Sequence, residues 1–367
     1  MTEPSSSSDD ARFVQQSDFE KIAQMVSAEF QVENALVEHN IPTFYLKQPQ
    51  ETKQAFLSFL KNLEPLNLIA LLRRADGRIV LRVLPKPPVK KSNVLVNWLL
   101  FFATIATTFV TGYLLFESFN LLSESFINPY VGGATFTVAI MAVLGMHEMS
   151  HKLSANKHKV EATPPYFIPG PPAFSGFLGI GTFGAVIMQK SLPPNRDALF
   201  DVGSSGPIIG FIIAFVVSLV GLWFSPIFPV KGDEGFLASP LIFELFALFV
   251  IRIPQGHYML LHPVAFAGWV GMVITMLNLL PAAMLDGGHV TRAIFGEKTA
   301  SMLTWLSIIY LVLTGFWPMA FFVLFISRSR HPGPLDEVSS LSTKRKALSV
   351  FLVVILVLCS MPPQLLL

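Results

Sequence analysis

One cysteine, Cys359, in 367 residues leaves no partner for an intrachain disulfide. Charge is also scarce: Asp, Glu, Lys and Arg make up 14% of the chain, against roughly 25% in soluble proteins. The charge present nearly cancels, at a formal +2, and no basic patch is interleaved with aromatics, so nucleic acid is excluded as a partner. No internal repeat is found. The polar start, acidic at Asp9 and Asp10, lacks a charged-then-apolar leader, and no cleaved signal peptide is expected. What the chain has in abundance is apolar surface: 52% hydrophobic residues, 33 of them phenylalanine, gathered in long runs. Lipid or the protein itself must solvate most of it, as expected for an α-helical polytopic membrane protein.

Residues 1–12 are Ser-rich and expected to be a disordered tail. Residues 13–84 read as a small soluble α+β domain, with helical periodicity at 19–30 and 51–63 and strand-like runs at 43–46, 68–73 and 78–84. A stiff basic linker follows at 85–93, where Pro85, Pro87 and Pro88 alternate with Lys86, Lys90 and Lys91. Residues 94–362 hold the apolar segments. Spans are expected at 94–116, 131–154, 203–224, 262–281 and 347–361, and a helical hairpin at 301–326 where Gly315 and Pro318 break the run, giving about seven crossings. Residues 241–251 are too short to span and are expected to be interfacial or re-entrant. The positive-inside tendency puts the N-terminal domain in the cytoplasm, with the cell membrane as the expected location. The loop at 155–202 carries PPYFIPGPP at 164–172 and an alternating apolar and glycine stretch at 176–188, read as a membrane-dipping hairpin. At the start of the 203–224 span, Gly203, Gly206 and Pro207 suit close helix packing.

Residues 147–151 read His-Glu-Met-Ser-His. On a helix, His147 and His151 project from one face with Glu148 beside them, which supplies two metal ligands and a general base. With 8 histidines and 24 acidic residues, a chance match arises roughly 0.01 times per chain. At ~1.5 Å per residue, His147 lies about 21 Å below Gly133, inside a hydrocarbon core of ~30 Å yet near its cytoplasmic side. A catalytic zinc takes three protein ligands. The segment NLLPAAMLDGGH offers Asp286, a carboxylate at membrane depth that coordination would neutralise. An ordinary helix terminus, with a capping Asp and a glycine stop, accounts for the same residues.

Taken together, the two motifs make the chain resemble the site-2 protease family of intramembrane zinc metalloproteases. The match lies in HEMSH and in the pattern carried by Asn278, Pro281, Asp286 and Gly287. It covers about residues 131–288, and no PDZ-like module is found. The resemblance implies a Zn2+ cofactor held by His147, His151 and Asp286, Glu148 as general base, and Asn278 as a polar contact to substrate or oxyanion. It also implies transmembrane segments of other proteins as substrates, in contact with membrane lipid. The hairpin at 176–188, through Gly176, Ile180 and Val186, is expected to pair with the unwound substrate strand. His289 is expected as a helix-end residue rather than a partner to a ligand, and His39, His158, His257 and His331 as loop or surface residues. A metal transporter or a non-proteolytic metal-binding protein is the alternative. The polar groups gather at one depth instead of lining a path, which favours the protease.

Overall fold

The structure, a computed structural model, describes residues 16–88, 92–172, 179–230, 238–329 and 331–361. The expected tail, Lys90 and Lys91 of the linker, and Gly176 of the hairpin lie outside the described residues. The N-terminal layer runs α1 (Gln16–Glu29), β1 (Val32–Glu38), β2 (Ile41–Leu46), α2 (Lys53–Leu63), β3 (Leu68–Ala75) and β4 (Arg78–Pro85). Its four strands form an antiparallel sheet in the order β1-β2-β4-β3. Both hairpins turn through two residues at positive φ, His39-Asn40 and Asp76-Gly77, the conformation whose twist matches paired strands. Phe44, Phe56, Phe59, Leu63, Leu72 and Leu81 close its core with no exposed surface. Strand β1 was not expected from the sequence. Its residues are all exposed or half-buried, so no apolar alternation marks it.

The remainder is chiefly helical: α3 (Val94–Ser123), α4 (Pro129–Lys157), β5 (Tyr166–Pro169), β6 (Thr182–Val186), α5 (Arg196–Trp223), β7 (Ile227–Pro229), α6 (Leu241–Leu245) continued by a π-helical turn at Phe246–Ile251, β8 (His257–Met259), α7 (Pro263–Leu279), α8 (Asp286–Phe295), α9 (Glu297–Leu313), α10 (Trp317–Ile326) and α11 (Thr343–Cys359). Three helices, α3, α4 and α5, are long and apolar enough to cross a membrane. Their 28 to 30 residues give about 42–45 Å at the α-helical rise, more than a bilayer's hydrocarbon core. The helices outrun the apolar windows because their polar ends continue the same backbone hydrogen bonding. Gly315, at φ +81°, separates α9 from α10, and Pro318 sits in the first turn of α10.

Helix α5 is the hub, packed against α4, α7 and α8. Small residues permit this: a Cβ on Gly221 would stand 2.0 Å from the Ala265 nitrogen, and one on Gly268 2.3 Å from Ser218 Oγ. At one end of the bundle a polar network ties the layers together. Asp197 pairs with Lys53 at 2.8 Å and Arg345 at 3.0 Å, and Asp201 pairs with Arg345 at 2.5 Å and His158 at 2.8 Å. His158, expected as a surface residue, is therefore a half-buried link from the α4 C-cap to α5.

The segment after α10 lies as a strap between the two layers. The Leu72 N–H donates to the Leu335 carbonyl at 2.9 Å, and the Glu337 N–H returns to the Leu72 carbonyl at 3.1 Å. On its other side, the Leu335 and Asp336 N–H groups donate to the Pro193 and Pro194 carbonyls. Asp336 is fully buried, and its carboxylate accepts from the Val338 and Ser339 N–H groups and the Ser339 hydroxyl. A buried carboxylate so satisfied locks the strap in one register.

Candidate active site

Along α4 the buried positions Phe136, Ile140, Val143 and Leu144 recur at helical spacing, and His147, Glu148, His151 and Ala155 continue the stripe. The pentapeptide thus faces inward because the helix already does, while Met146 and Met149 are exposed on the other side. His151 and His147 stand about 9 and 15 Å along the axis from Lys157, so the imidazoles lie at depth but close to the charged end.

The two motifs, 135 and 139 residues apart, converge. His147 Nε2 and His151 Nε2 are 3.1 Å apart, and each lies 3.2 Å from Asp286 Oδ2. Four ligands at zinc distances around a tetrahedron are separated by roughly 3.3 Å, so this triangle has the size of one face of such a site. The donor chemistry agrees. His151 Nδ1 lies 2.6 Å from the Val202 carbonyl, which accepts its proton and leaves Nε2 with a free lone pair directed at the other two donors.

Two glycines on α5 make room for the rings. A Cβ on Gly206 would stand 2.0 Å from His151 Nε2, and one on Gly210 2.7 Å from His147 Nδ1. The expected packing role of Gly206 is thus specific to an imidazole; Gly210 was not singled out from the sequence, although it lies one turn further along the same face.

Asp286 reaches the site because the chain turns sharply after α7. The turn bonds the Leu285 N–H to the Ala282 carbonyl at 3.0 Å, holds Ala283 at φ +45° and ties its N–H to Thr304 Oγ1 at 2.9 Å. A Cβ on Gly287 would meet the Leu279 carbonyl oxygen at 2.1 Å, so only glycine lets α8 start here. Asn278, in the last turn of α7, points its amide Nδ2 at the cluster, 3.4 Å from His147 Nε2.

Glu148 is buried with Oε1 4.0 Å from His147 Nε2, and its carboxylate accepts a hydrogen bond from the Ile187 backbone. That contact brings the end of β6 to the site. Strand β6 pairs with β5 in a two-stranded sheet, and the expected hairpin therefore begins inside the proline-rich stretch, at Tyr166. The Thr107 hydroxyl holds the Gly181 carbonyl at 2.6 Å, and the Asn97 amide donates to the Pro164 and Pro165 carbonyls, fastening the hairpin along α3. Val186 is exposed at the end of β6, whereas Ile180 precedes the strand and packs into the apolar cluster of α3, α4 and α7. His289 occupies the first turn of α8, with its Nδ1 2.7 Å from His331 Nε2. The expectation of a plain loop histidine at 331 missed this contact.

Residues 135–314 match the family model of Peptidase family M50. A protein of Arabidopsis thaliana named "Probable zinc metalloprotease EGY1, chloroplastic" is 29% identical over 248 residues, 64% of this chain and 44% of that one. "Probable zinc metalloprotease EGY2, chloroplastic" of Oryza sativa subsp. indica is 27% identical over 314 residues, 80% of this chain and 54% of that one. The chain spans about half the length of these curated relatives. Among solved structures, "Site-2 Protease from Methanocaldococcus jannaschii" overlaps 64% of this chain and 91% of its own, at 18% identity and a TM-score of 0.31, too loose an overlap to bear weight. Both motifs fall inside the stretch that matches peptidase family M50, and in the fold their donor atoms stand within 3.2 Å of one another, so the similarity to that family coincides with the one place where the two motifs meet.

Proposed function

We propose that the chain is a zinc-dependent endopeptidase that hydrolyses peptide bonds in transmembrane segments of other proteins. The observation that carries this reading is the triangle of His147, His151 and Asp286 with the Glu148 carboxylate alongside. In this reading the three residues hold Zn2+, which when bound lowers the pKa of a coordinated water toward ~7 and polarises a peptide carbonyl. Glu148 takes the proton of the attacking water and returns it to the leaving amine. Asn278 donates its amide N–H to the substrate carbonyl as negative charge develops there. His151 keeps its tautomer through Val202, and the apolar walls of α4, α5 and α7 limit bulk water.

The reading includes a multi-pass arrangement of about seven crossings, with α7, the α9–α10 pair and α11 joining the three long helices. It places residues 13–84 as a soluble α+β domain on the cytoplasmic side of a cell membrane, the side of Lys152, Lys157, Lys159 and Arg345. Stripping the purified protein of metal with a chelator is expected to abolish cleavage of a transmembrane substrate in liposomes, and added zinc to restore it. Full cleavage by metal-free protein would overturn the reading.

A helical substrate hides its carbonyls in its own hydrogen bonds and must unwind before attack. We infer that β6, which among the described residues pairs only with β5 and whose neighbour Ile187 touches Glu148, receives the unwound strand by edge addition. Proline at Val186 is expected to lower cleavage several-fold while zinc content stays constant, as measured by metal analysis beside the rate; Ile180, which precedes β6 and packs into the core, is not on the pairing edge. Unchanged rates would count against pairing at this edge.

A further inference from the structure

Helix α8 has only ten residues and bears Asp286 at its first position, so whatever fixes the rest of α8 fixes that carboxylate. Two side chains on α8, His289 and Arg292, are held by the strap. The Gly333 N–H donates to His331 Nδ1 at 3.0 Å, so the ring proton sits on Nε2 and is donated to His289 Nδ1. Burial, with His289 and Arg292 nearby, pushes the His331 imidazole down to about 3, which keeps it neutral and suited to this role. Arg292 is buried at 4% side-chain exposure and ion-paired to Glu337 of the strap, and its Nε finds no hydrogen-bond partner among the described residues.

Glu337 has a second partner. Its Oε2 lies 3.1 Å from Arg73 Nε on β3, and the same guanidinium donates through Nη1 to the Leu335 carbonyl at 2.7 Å. One carboxylate is therefore shared between a strand of the N-terminal layer and the helix that presents Asp286. A buried guanidinium requires a counter-charge; Glu297 stands 3.7 Å from the same Arg292 nitrogen and is half exposed, so Glu337 is the nearer and drier partner, and its shift toward or away from Arg73 is felt at Arg292.

We propose that the strap, through Glu337, is a positioning clamp that couples the N-terminal layer to the metal site by setting where α8 holds Asp286. Arg73, Glu337 and Arg292 act through Asp286 and touch neither metal nor substrate. This rests on the reading of His147, His151 and Asp286 as the zinc ligands.

Zinc affinity of the full-length protein, measured by competition with a chromophoric chelator, tests it without reference to cleavage. Glu337→Gln is expected to weaken zinc binding about 10–100-fold, the range seen when groups that orient ligands are lost. Arg73→Gln, on a strand of the other layer, is expected to weaken it several-fold, with Arg73→Lys restoring most of the loss. The double variant is expected to be no worse than Glu337→Gln alone. Should Glu337→Gln fail to fold, the Arg73 pair decides: affinity equal to the parent in Arg73→Gln overturns the clamp. Asp286→Ala run alongside separates the two failures. Zinc retained in Asp286→Ala overturns the metal-site reading and the clamp with it, whereas zinc lost there but unchanged in Glu337→Gln and Arg73→Gln overturns the clamp alone.

Discussion

Glu148→Gln is expected to leave zinc bound and to slow cleavage of a transmembrane substrate by about 10²–10⁴-fold, the usual contribution of a positioned general base. The substitution suits the question because glutamine keeps the size of the side chain and an oxygen that can still accept from the Ile187 backbone. What it removes is the basic carboxylate beside the His147 and His151 donors. The geometry allows a second outcome. His147, Glu148 and His151 can each offer an atom within 4.8 Å of the others, so Glu148 is within reach of an ion. If Glu148→Gln loses zinc in parallel with activity, Glu148 is a ligand; if rate and zinc are both unchanged, it is neither base nor ligand.

The second large effect is expected from a single methyl group. Gly206→Ala puts a Cβ 2.0 Å from His151 Nε2, a separation no pair of such atoms tolerates, and the neighbour is a ring confined by its bond to Val202. The imidazole must turn away, and zinc affinity is expected to fall at least about 100-fold, the upper end of what displaced supporting groups cost. The helix-propensity gain of about 0.5–1 kcal/mol that alanine brings at an uncrowded position is offset here by the clash, so thermal unfolding of the metal-free protein is needed to separate lost folding from lost metal. Gly210→Ala, at 2.7 Å from His147 Nδ1, is expected to do the same more mildly. Calorimetric zinc titration of the two variants against the parent, with thermal unfolding of the metal-free proteins as control, measures both. Parent-like zinc binding in Gly206→Ala would mean that the close approach of α5 to α4 is not required.

What could be read from the sequence follows from how local each signal is. HEMSH is legible because its geometry is that of one helix: spacing alone puts both imidazoles on one face, and the buried stripe of α4 carries them inward. Asp286 was legible for a different reason, the cost of a carboxylate at membrane depth, together with the resemblance that tied it to the first motif. The contacts that complete the site were not. Ile187 meets Glu148, Val202 meets His151 and His331 meets His289 across 39, 51 and 42 residues, and nothing in a backbone N–H, a backbone carbonyl or a loop histidine marks it in advance. In the N-terminal layer the buried strands gave themselves away by apolar runs, whereas β1, exposed along most of its length, carried no periodic signal.

The strap has a consequence for how the chain is made. Arg73 and Leu335, joined in the finished protein, are 262 residues apart. At a translation rate of about 5–20 residues per second, roughly 13–52 s pass between their emergence. Throughout that interval the Leu72 N–H and carbonyl, at the outer edge of β3, lack the partners that the strap later supplies. A chain halted before residue 335 therefore leaves the Leu72 backbone groups open, and synthesis of the strap is what closes them.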